Sequence, residues 1–353
     1  MQLAEIIGLR PVACAGLLVT LTRRCPMSCA HCSTASTMAD GHVSRAALLR
    51  FFGTFRPAGR PEVVIMTGGE PMLRPRLVAQ LAEQARGSGA RSVVLTGAFF
   101  ARGGRIPDPV RRAVDAVDHC SVSLDAYHER QVPRADVFAL LHRLLGRGVA
   151  VSLHVTGTGR DDPYLADVTS QVSRRFGAQV PMLVSELRAI GRAASWRTAI
   201  EQAAAATVEP CTLAAWPVVA VDGTITACCS QDVVDGPERP GHLRLGHIAS
   251  ESWAEIRRRS AGSAALRLLR TAGPRYLCDD PLDVGALTPA RYCATCHALD
   301  RGSVTVQRRL AVAAGPVGQL LDEDAARHQV GRGAAGFVRR YGVARYADLV
   351  APA

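Results

Sequence analysis

The chain has 353 residues, of which 48% are hydrophobic and 21% charged. That allows one large α/β domain with an extension, or two domains, and excludes a peptide-sized or disordered chain. The formal net charge is +11, but all 42 Lys+Arg residues are Arg and Asn is absent, so the excess reflects coding bias more than selection for a polyanion. The arginines are scattered, as at 111–112, 257–259 and 339–340, with no basic stripe interleaved with aromatics, which argues against a nucleic-acid partner. Without lysine there is no Schiff base, no pyridoxal-phosphate chemistry and no Walker-type phosphate loop. No apolar run reaches about 18 residues, so no membrane partner is expected. The first ten residues lack a secretory pattern, so a cytoplasmic location is expected.

Taken in chain order, β-branched apolar runs alternate with segments of helical period up to about residue 190. Strands are predicted at 16–21, 62–66, 92–96, 119–124, 150–155 and 180–186. Helices are predicted at 44–55, 76–87, 108–117, 134–146 and 164–176, with Ser44 as an N-cap and Gly146 and Gly177 as C-caps. Six units are too few for an eight-stranded barrel. The α/β fold expected is therefore a partial (β/α)6 TIM-type barrel, with an open doubly wound sheet as the other solution.

The pattern then changes. An Ala-rich stretch at 193–207 leads to Cys211 and to a hairpin of 217–221 and 224–228 joined at Asp222-Gly223. A helix is predicted at 250–259, and residues 278–289 read as loop. A small α+β cluster-binding domain with a β-hairpin is thus expected over 191–302, after a barrel over 1–190 and before a helical tail over 303–353 broken at Gly315-Pro316 and at 331–336. One hairpin, one short helix and long loops bury little apolar surface, so metal ligation is expected to supply much of the stability of residues 211–300.

Eleven cysteines without a secretory signal point to metal or catalytic use rather than disulfides. Cys14 and Cys120 are expected as small core residues. Cys25-Pro26-Met27-Ser28-Cys29-Ala30-His31-Cys32 follows directly on the first predicted strand, where βα units place functional groups. Three thiolates at this spacing can wrap one face of a four-iron cluster and leave one metal corner without a protein ligand. Zinc completed by His31 is the competing reading, although His31 adjoins Cys32 and neighbours on a tight loop rarely point at one ion.

This C-x3-C-x2-C loop resembles that of the radical S-adenosylmethionine superfamily, and His31 suits the position that is usually aromatic there. The resemblance implies a 4Fe-4S cluster on Cys25, Cys29 and Cys32 whose open iron chelates S-adenosylmethionine, and reductive cleavage to a 5′-deoxyadenosyl radical. Thr67-Gly68-Gly69-Glu70-Pro71 resembles the family's GGEP segment, and Ser121-Val122-Ser123-Leu124-Asp125 its S-x-D segment. Gly68, Gly69, Glu70, Ser123 and Asp125 are thereby expected near the cofactor. Arg134 is a candidate for its carboxylate, and His154, Tyr127, His128 and Arg130 are candidates for the lumen or its mouth.

The segment after residue 190 resembles the SPASM and twitch extensions of the same superfamily, through Gly191-Arg192-Ala193, Cys211, Asp222-Gly223 with Cys228, Leu245-Gly246-His247-Ile248, Trp253 and Cys293-x2-Cys296. One auxiliary 4Fe-4S cluster is implied, on Cys211, Cys228, Cys293 and Cys296. Cys229 and Cys278 are alternates, and a zinc ribbon is the competing site. The implied activity is oxidoreductase-like. The expected substrate is a ribosomally made peptide or protein side chain that is crosslinked, epimerised or oxidised, or else a small biosynthetic molecule such as an aminocyclitol. Expected partners are a flavodoxin or ferredoxin as reductant and, for a peptide substrate, a separate peptide-recognition protein; only about 14 residues precede the first strand, which weakens the peptide reading without removing it. A non-enzymatic zinc or iron–sulfur binding module is the distant alternative.

Overall fold

A computed structural model describes residues 1–197, 210–277, 289–299 and 302–352. Cys278 and the Ala-rich residues beyond 197 lie outside the described residues. Helix α1 (Leu3–Gly8) precedes β1 (Gly16–Thr22), α2 (Arg45–Phe52), β2 (Val63–Gly68), α3 (Pro75–Ser88), β3 (Arg91–Thr96), α4 (Asp108–Ala116), β4 (His119–Ser123), α5 (Arg134–Leu145), β5 (Ala150–Gly157), α6 (Pro163–Phe176) and β6 (Met182–Glu186). Every predicted strand and helix of this part is present. Local signals explain the ends: the Ser44 side chain accepts from the Ala47 amide to start α2, and Gly89 closes α3 at φ +87. Gly146 caps α5 in the right-handed region, and the left-handed turn falls at Gly148 instead (φ +74).

The six strands are parallel and lie in the order β6-β5-β4-β3-β2-β1, the partial TIM-type barrel expected. Period-two alternation sorts their side chains. Leu17, Val19, Leu21, Val64, Met66, Val94, Cys120, Val122, Val151, Leu153 and Val155 join the apolar core with the helices. The opposite face is hydroxylated: Thr20 pairs in register with Thr67, Ser123 with His154, Ser152 donates to Ser121 at 3.1 Å, and His154 hydrogen-bonds Ser185 at 3.0 Å. Helix α1 closes the floor, where Ile6 packs with Val63, Val93 and Trp216.

The chain continues through β7 (Val218–Val219), β8 (Thr224–Thr226), α7 (Gln231–Asp235), β9 (Arg244–His247), α8 (Trp253–Gly262), α9 (Ala264–Thr271), α10 (Pro289–His297), α11 (Val304–Ala314), α12 (Pro316–Gly331) and α13 (Gly333–Tyr341). The expected hairpin forms, but it extends the barrel's own sheet: β7 pairs in parallel with β1 at Leu18↔Val218, and β8 and β9 follow antiparallel. Ile225, Leu245, Ile248, Trp253 and Ile256 belong to the same apolar core as the barrel, and Trp253 donates from Nε1 to the Gly59 carbonyl at 2.7 Å. The apolar surface that the local sequence lacks is therefore supplied by the barrel. The tail returns to cover the free edge of β6, where the Val343 amide donates to the Val184 carbonyl at 3.0 Å and Val338, Ala347 and Val350 pack with Leu3 and Ile7. Among the described residues no helix is long and apolar enough to cross a membrane.

Candidate active site

Cys25, Cys29 and Cys32 lie on the loop that leaves β1, with Cys25 and Cys29 buried. Backbone contacts shape it: the Cys25 amide donates to the Thr37 carbonyl, and the Cys32 amide to the Cys29 carbonyl, each at 3.2 Å. The end of β2 is sewn to the same stretch. The Gly69 amide donates to the Thr22 carbonyl at 2.6 Å and the Glu70 amide to the Arg24 carbonyl at 2.8 Å. A Cβ on Gly68 (φ +140) would overlap the Thr22 carbonyl, and one on Gly69 would overlap that of Arg24. The paired glycines are thus required by close approach of two backbones.

Glu70 is fully buried and its carboxylate is spent inside the protein. It accepts from the Met72 amide (2.9 Å), the Thr96 hydroxyl (2.7 Å) and the Gly97 amide (2.9 Å), tying β2 to β3. Burial pushes its carboxyl up to about 7, against these three donors. Gly97 in turn leaves room for Met27 between the first two cysteines, since a Cβ there would meet the Met27 methyl.

Asp125, at the end of β4, is 1% exposed. One oxygen accepts from the Tyr127 and His128 amides at 2.9 Å each. The other accepts from His128 Nδ1 at 2.6 Å and lies 3.1 Å from His31 Nε2. Burial would raise its pKa, but the two imidazoles hold it well below the usual carboxylate range. Burial would likewise lower His128, yet the bonds to Asp125 and Cys29 carry it up to about 10. Gln131 completes the link by donating from Nε2 to Cys29 Sγ at 3.3 Å and accepting from the Ser28 amide at 2.8 Å. His31 stacks on Tyr127 with centroids 4.7 Å apart, and Tyr127 meets Trp196 at 5.6 Å.

The segment after β6 grips the loop from the other side. A Cβ on Gly191 (φ +57) would overlap the backbone of Cys32 and Ser33. The Arg192 amide donates to the Cys32 carbonyl at 2.9 Å, and its guanidinium to the carbonyls of Cys29 (2.9 Å) and Ser36 (3.0 Å). Burial raises the Cys32 thiol, but bonds from Thr34 and Ser36 and the Arg192 charge bring it below its ordinary value. For Cys25 burial prevails and pushes the thiol up to about 12.

Ser123 faces the lumen beside His154, and burial lowers His154 to about 4, so it is neutral near pH 7. Arg134 has another occupation: its fork is held by Glu129 at 2.9 and 2.7 Å and by Asp167 at 2.6 Å. Arg130 lies over the Tyr127 ring at 5.8 Å. Gln131 has no local signature in the sequence, and Arg192, singled out there only within Gly191-Arg192-Ala193, gave no sign of its grip on the cysteine loop. His128 was legible only as a histidine close to the S-x-D segment.

A second group of thiols gathers where β8 ends. Cys211, Cys228, Cys229, Cys293 and Cys296 lie within electrostatic reach of one another, and Cys296 Sγ is 3.6 Å from His242 Nε2. Burial pushes Cys211 up to about 11 and Cys296 up to about 12. A tetrahedral zinc site would need its sulfurs within about 4 Å of each other. Among the described residues His31, Asp125 and His128 form the one group with all ligand atoms within 4.8 Å of one another. No thiol trio is drawn that tightly, and His31 is turned toward Asp125 rather than toward the cysteines.

Residues 19–170 match the family model of the Radical SAM superfamily. The matched stretch contains the cysteine loop, the Gly68-Gly69 turn and Asp125. Solved structures of similar fold include Streptococcus suis SuiB bound to S-adenosylmethionine, with a TM-score of 0.50 at 10% identity over 70% of this chain and 67% of that one. SuiB bound to precursor peptide SuiA aligns with the same score and identity over 75% and 67%. Polyhistidine-tagged anSMEcpe with bound AdoMet reaches 0.49 at 14% identity over 85% and 98%. The SuiB likeness establishes the shared fold.

Proposed function

We propose that the chain is a radical S-adenosylmethionine enzyme that takes a hydrogen atom from a substrate C–H bond. Cys25, Cys29 and Cys32 would hold a 4Fe-4S cluster, and Cys211, Cys228, Cys293 and Cys296 an auxiliary one. The observation that carries this reading is the convergence of three strand ends on one cysteine loop: β2 through Gly69 and Glu70, β4 through Asp125, His128 and Gln131, and the segment after β6 through Arg192. Such a cluster with S-adenosylmethionine supplies a carbon-centred radical strong enough for unactivated C–H bonds.

The chain's own residues bind, orient and exclude water. Gly68 and Gly69 fix the β2 end against the root of the loop. Asp125 orders the β4 turn and holds two imidazoles. Met27 and Glu70 are buried beside the loop and keep water out. Ser121, Ser123, His154 and Ser185 line the lumen with hydrogen-bonding groups and no formal charge near pH 7. A peptide or protein side chain is the first substrate reading, with a separate recognition protein presenting it and a flavodoxin or ferredoxin as electron donor. The hydroxyl-rich lumen favours a second reading, a small hydroxylated molecule such as an aminocyclitol, whose hydroxyls these serines would meet.

Anaerobic reconstitution with iron and sulfide tests the assignment. A brown protein that forms 5′-deoxyadenosine from S-adenosylmethionine is expected, and the Cys25→Ala, Cys29→Ala and Cys32→Ala variants should each lose that activity while keeping the far-UV spectrum of a folded barrel. A colourless zinc protein, or cleavage retained in all three variants, overturns it. Deuterium carried into 5′-deoxyadenosine from a perdeuterated peptide or cyclitol separates the substrate readings.

A further inference from the structure

The Gln131 side chain is joined to the cysteine loop at both of its ends. Its Oε1 accepts from the Ser28 amide at 2.8 Å, and its Nε2 donates to Cys29 Sγ at 3.3 Å. A side-chain amide has an acceptor end and a donor end, and its partners decide which end lies where. The Ser28 amide can only donate, so it claims the oxygen and turns the NH2 group to the sulfur. The turn after β4 holds this pose from behind. The Gln131 and Val132 amides both donate to the His128 carbonyl, at 2.9 and 2.8 Å, Val132 is fully buried, and the Tyr127 and His128 amides are tied to Asp125. Cys32 Sγ meets the Thr34 hydroxyl at 3.3 Å from within the loop itself, whereas Gln131 reaches Cys29 from another strand end.

A neutral thiol is a weak acceptor and a metal-bound thiolate a strong one, so a donor aimed at Cys29 Sγ suits a cluster ligand. His31 Nδ1, on the same loop, is buried without a hydrogen-bond partner among the described residues, which leaves a second polar group for a bound cofactor to meet. We propose that Gln131 sets the reduction potential of the first cluster through its hydrogen bond to Cys29 Sγ. This rests on the 4Fe-4S assignment of Cys25, Cys29 and Cys32 above and deepens it by naming the residue outside the loop that tunes the cluster. Reduction adds one electron, supplied by the reductant, and the added negative charge spreads onto the cysteine sulfurs. A donor already aimed at one of them stabilises the reduced form and raises the potential. Acting through Cys29, Gln131 is a positioning residue.

The test uses the full chain, reconstituted anaerobically with iron and sulfide and titrated with dithionite under electron paramagnetic resonance. The first cluster is recognised by the change in its signal when S-adenosylmethionine is added. Gln131→Met removes both bonds, whereas Gln131→Glu keeps an oxygen for Ser28 and loses the donor. Both variants should load iron like the parent and make reduction about tenfold less favourable, a fall of about 59 mV for a one-electron couple. A fully loaded variant at the parental potential overturns the proposal: in Met the donor would be dispensable, and in Glu the contact with Ser28 would be all that Gln131 provides. A second readout needs no variant to load. With nitrogen-15 in the glutamine side-chain amides, the reduced parent cluster should show a nitrogen-15 coupling in pulsed paramagnetic resonance, and a loaded parent without it overturns the proposal. Where neither variant holds iron, that coupling decides alone, upholding the proposal if present. A parent without iron, or with a signal that S-adenosylmethionine leaves unchanged, refutes the cluster assignment itself, an outcome distinct from a loaded parent indifferent to Gln131.

Discussion

Replacing Gly68 by Ala measures how firmly the end of β2 positions the cysteine loop. Gly68 sits at φ +140, and holding an alanine in such a region costs about 1–2 kcal/mol. The new Cβ would also stand well inside 3.0 Å of the Thr22 carbonyl oxygen and 3.1 Å from the Thr22 nitrogen. Both are backbone atoms and cannot rotate away. The end of β1 must retreat by roughly 1 Å, and overpacking of this kind costs about 1–3 kcal/mol. The combined loss is about 2–5 kcal/mol. Thr22 lies three residues before Cys25 and receives the Gly69 amide at 2.6 Å, so the displacement passes into the loop. Gly103→Ala is the control: its φ is +70 but no heavy atom lies within 4 Å of the added Cβ, which leaves only about 1–2 kcal/mol. Urea unfolding followed by far-UV circular dichroism gives the stabilities, and iron analysis after anaerobic reconstitution gives loop competence. Gly68→Ala should lose the larger stability and most of the iron of the first site, whereas Gly103→Ala should keep its iron. Equal stability and equal iron in the two variants would refute the backbone-approach argument.

Two further outcomes follow from groups outside the first site. His119 is fully buried; its Nδ1 donates to the Met1 carbonyl at 3.0 Å and Nε2 meets the Ser152 hydroxyl at 2.8 Å, and burial lowers it from 6.5 to about 4. The unfolded chain therefore binds this proton first as pH falls, so the contribution present above pH 6.5 is lost between 6.5 and about 4, up to about 3 kcal/mol. Urea titrations at the two ends of that window should show His119→Gln losing less stability than the parent, and identical losses would remove His119 from the account. Cys296→Ala should release α10 while leaving the hairpin and α8, which share the barrel's core. Hydrogen exchange should lose protection over 289–297 but keep it over 218–226 and 253–262. Loss across all three stretches would mean that metal, and not the shared core, holds the C-terminal part.

The alternation of β-branched runs with amphipathic stretches determined six strands and five helices, because burial against the next unit imposes period two or 3.6 on each segment locally. The C-x3-C-x2-C spacing and the Gly68-Gly69 turn were legible for the same reason, since every residue involved lies within a few positions of the others. Long-range contacts leave no such trace. Nothing near Val218 says that β7 pairs in parallel with β1 and joins the hairpin to the barrel; only the open β1 edge, some 200 residues earlier, decides that. The partners of the cysteine loop were hidden likewise. Gln131 reaches Cys29 across 102 positions and Arg192 across 163, and in a chain whose every basic side chain but histidine is arginine, residue type does not single one out. Arg134 shows the converse, a well-placed arginine whose fork is held by Glu129 and Asp167. Which cation compensates which buried charge is settled by desolvation in the packed interior, where an unpaired charge is expensive, and that is a property of the assembled fold.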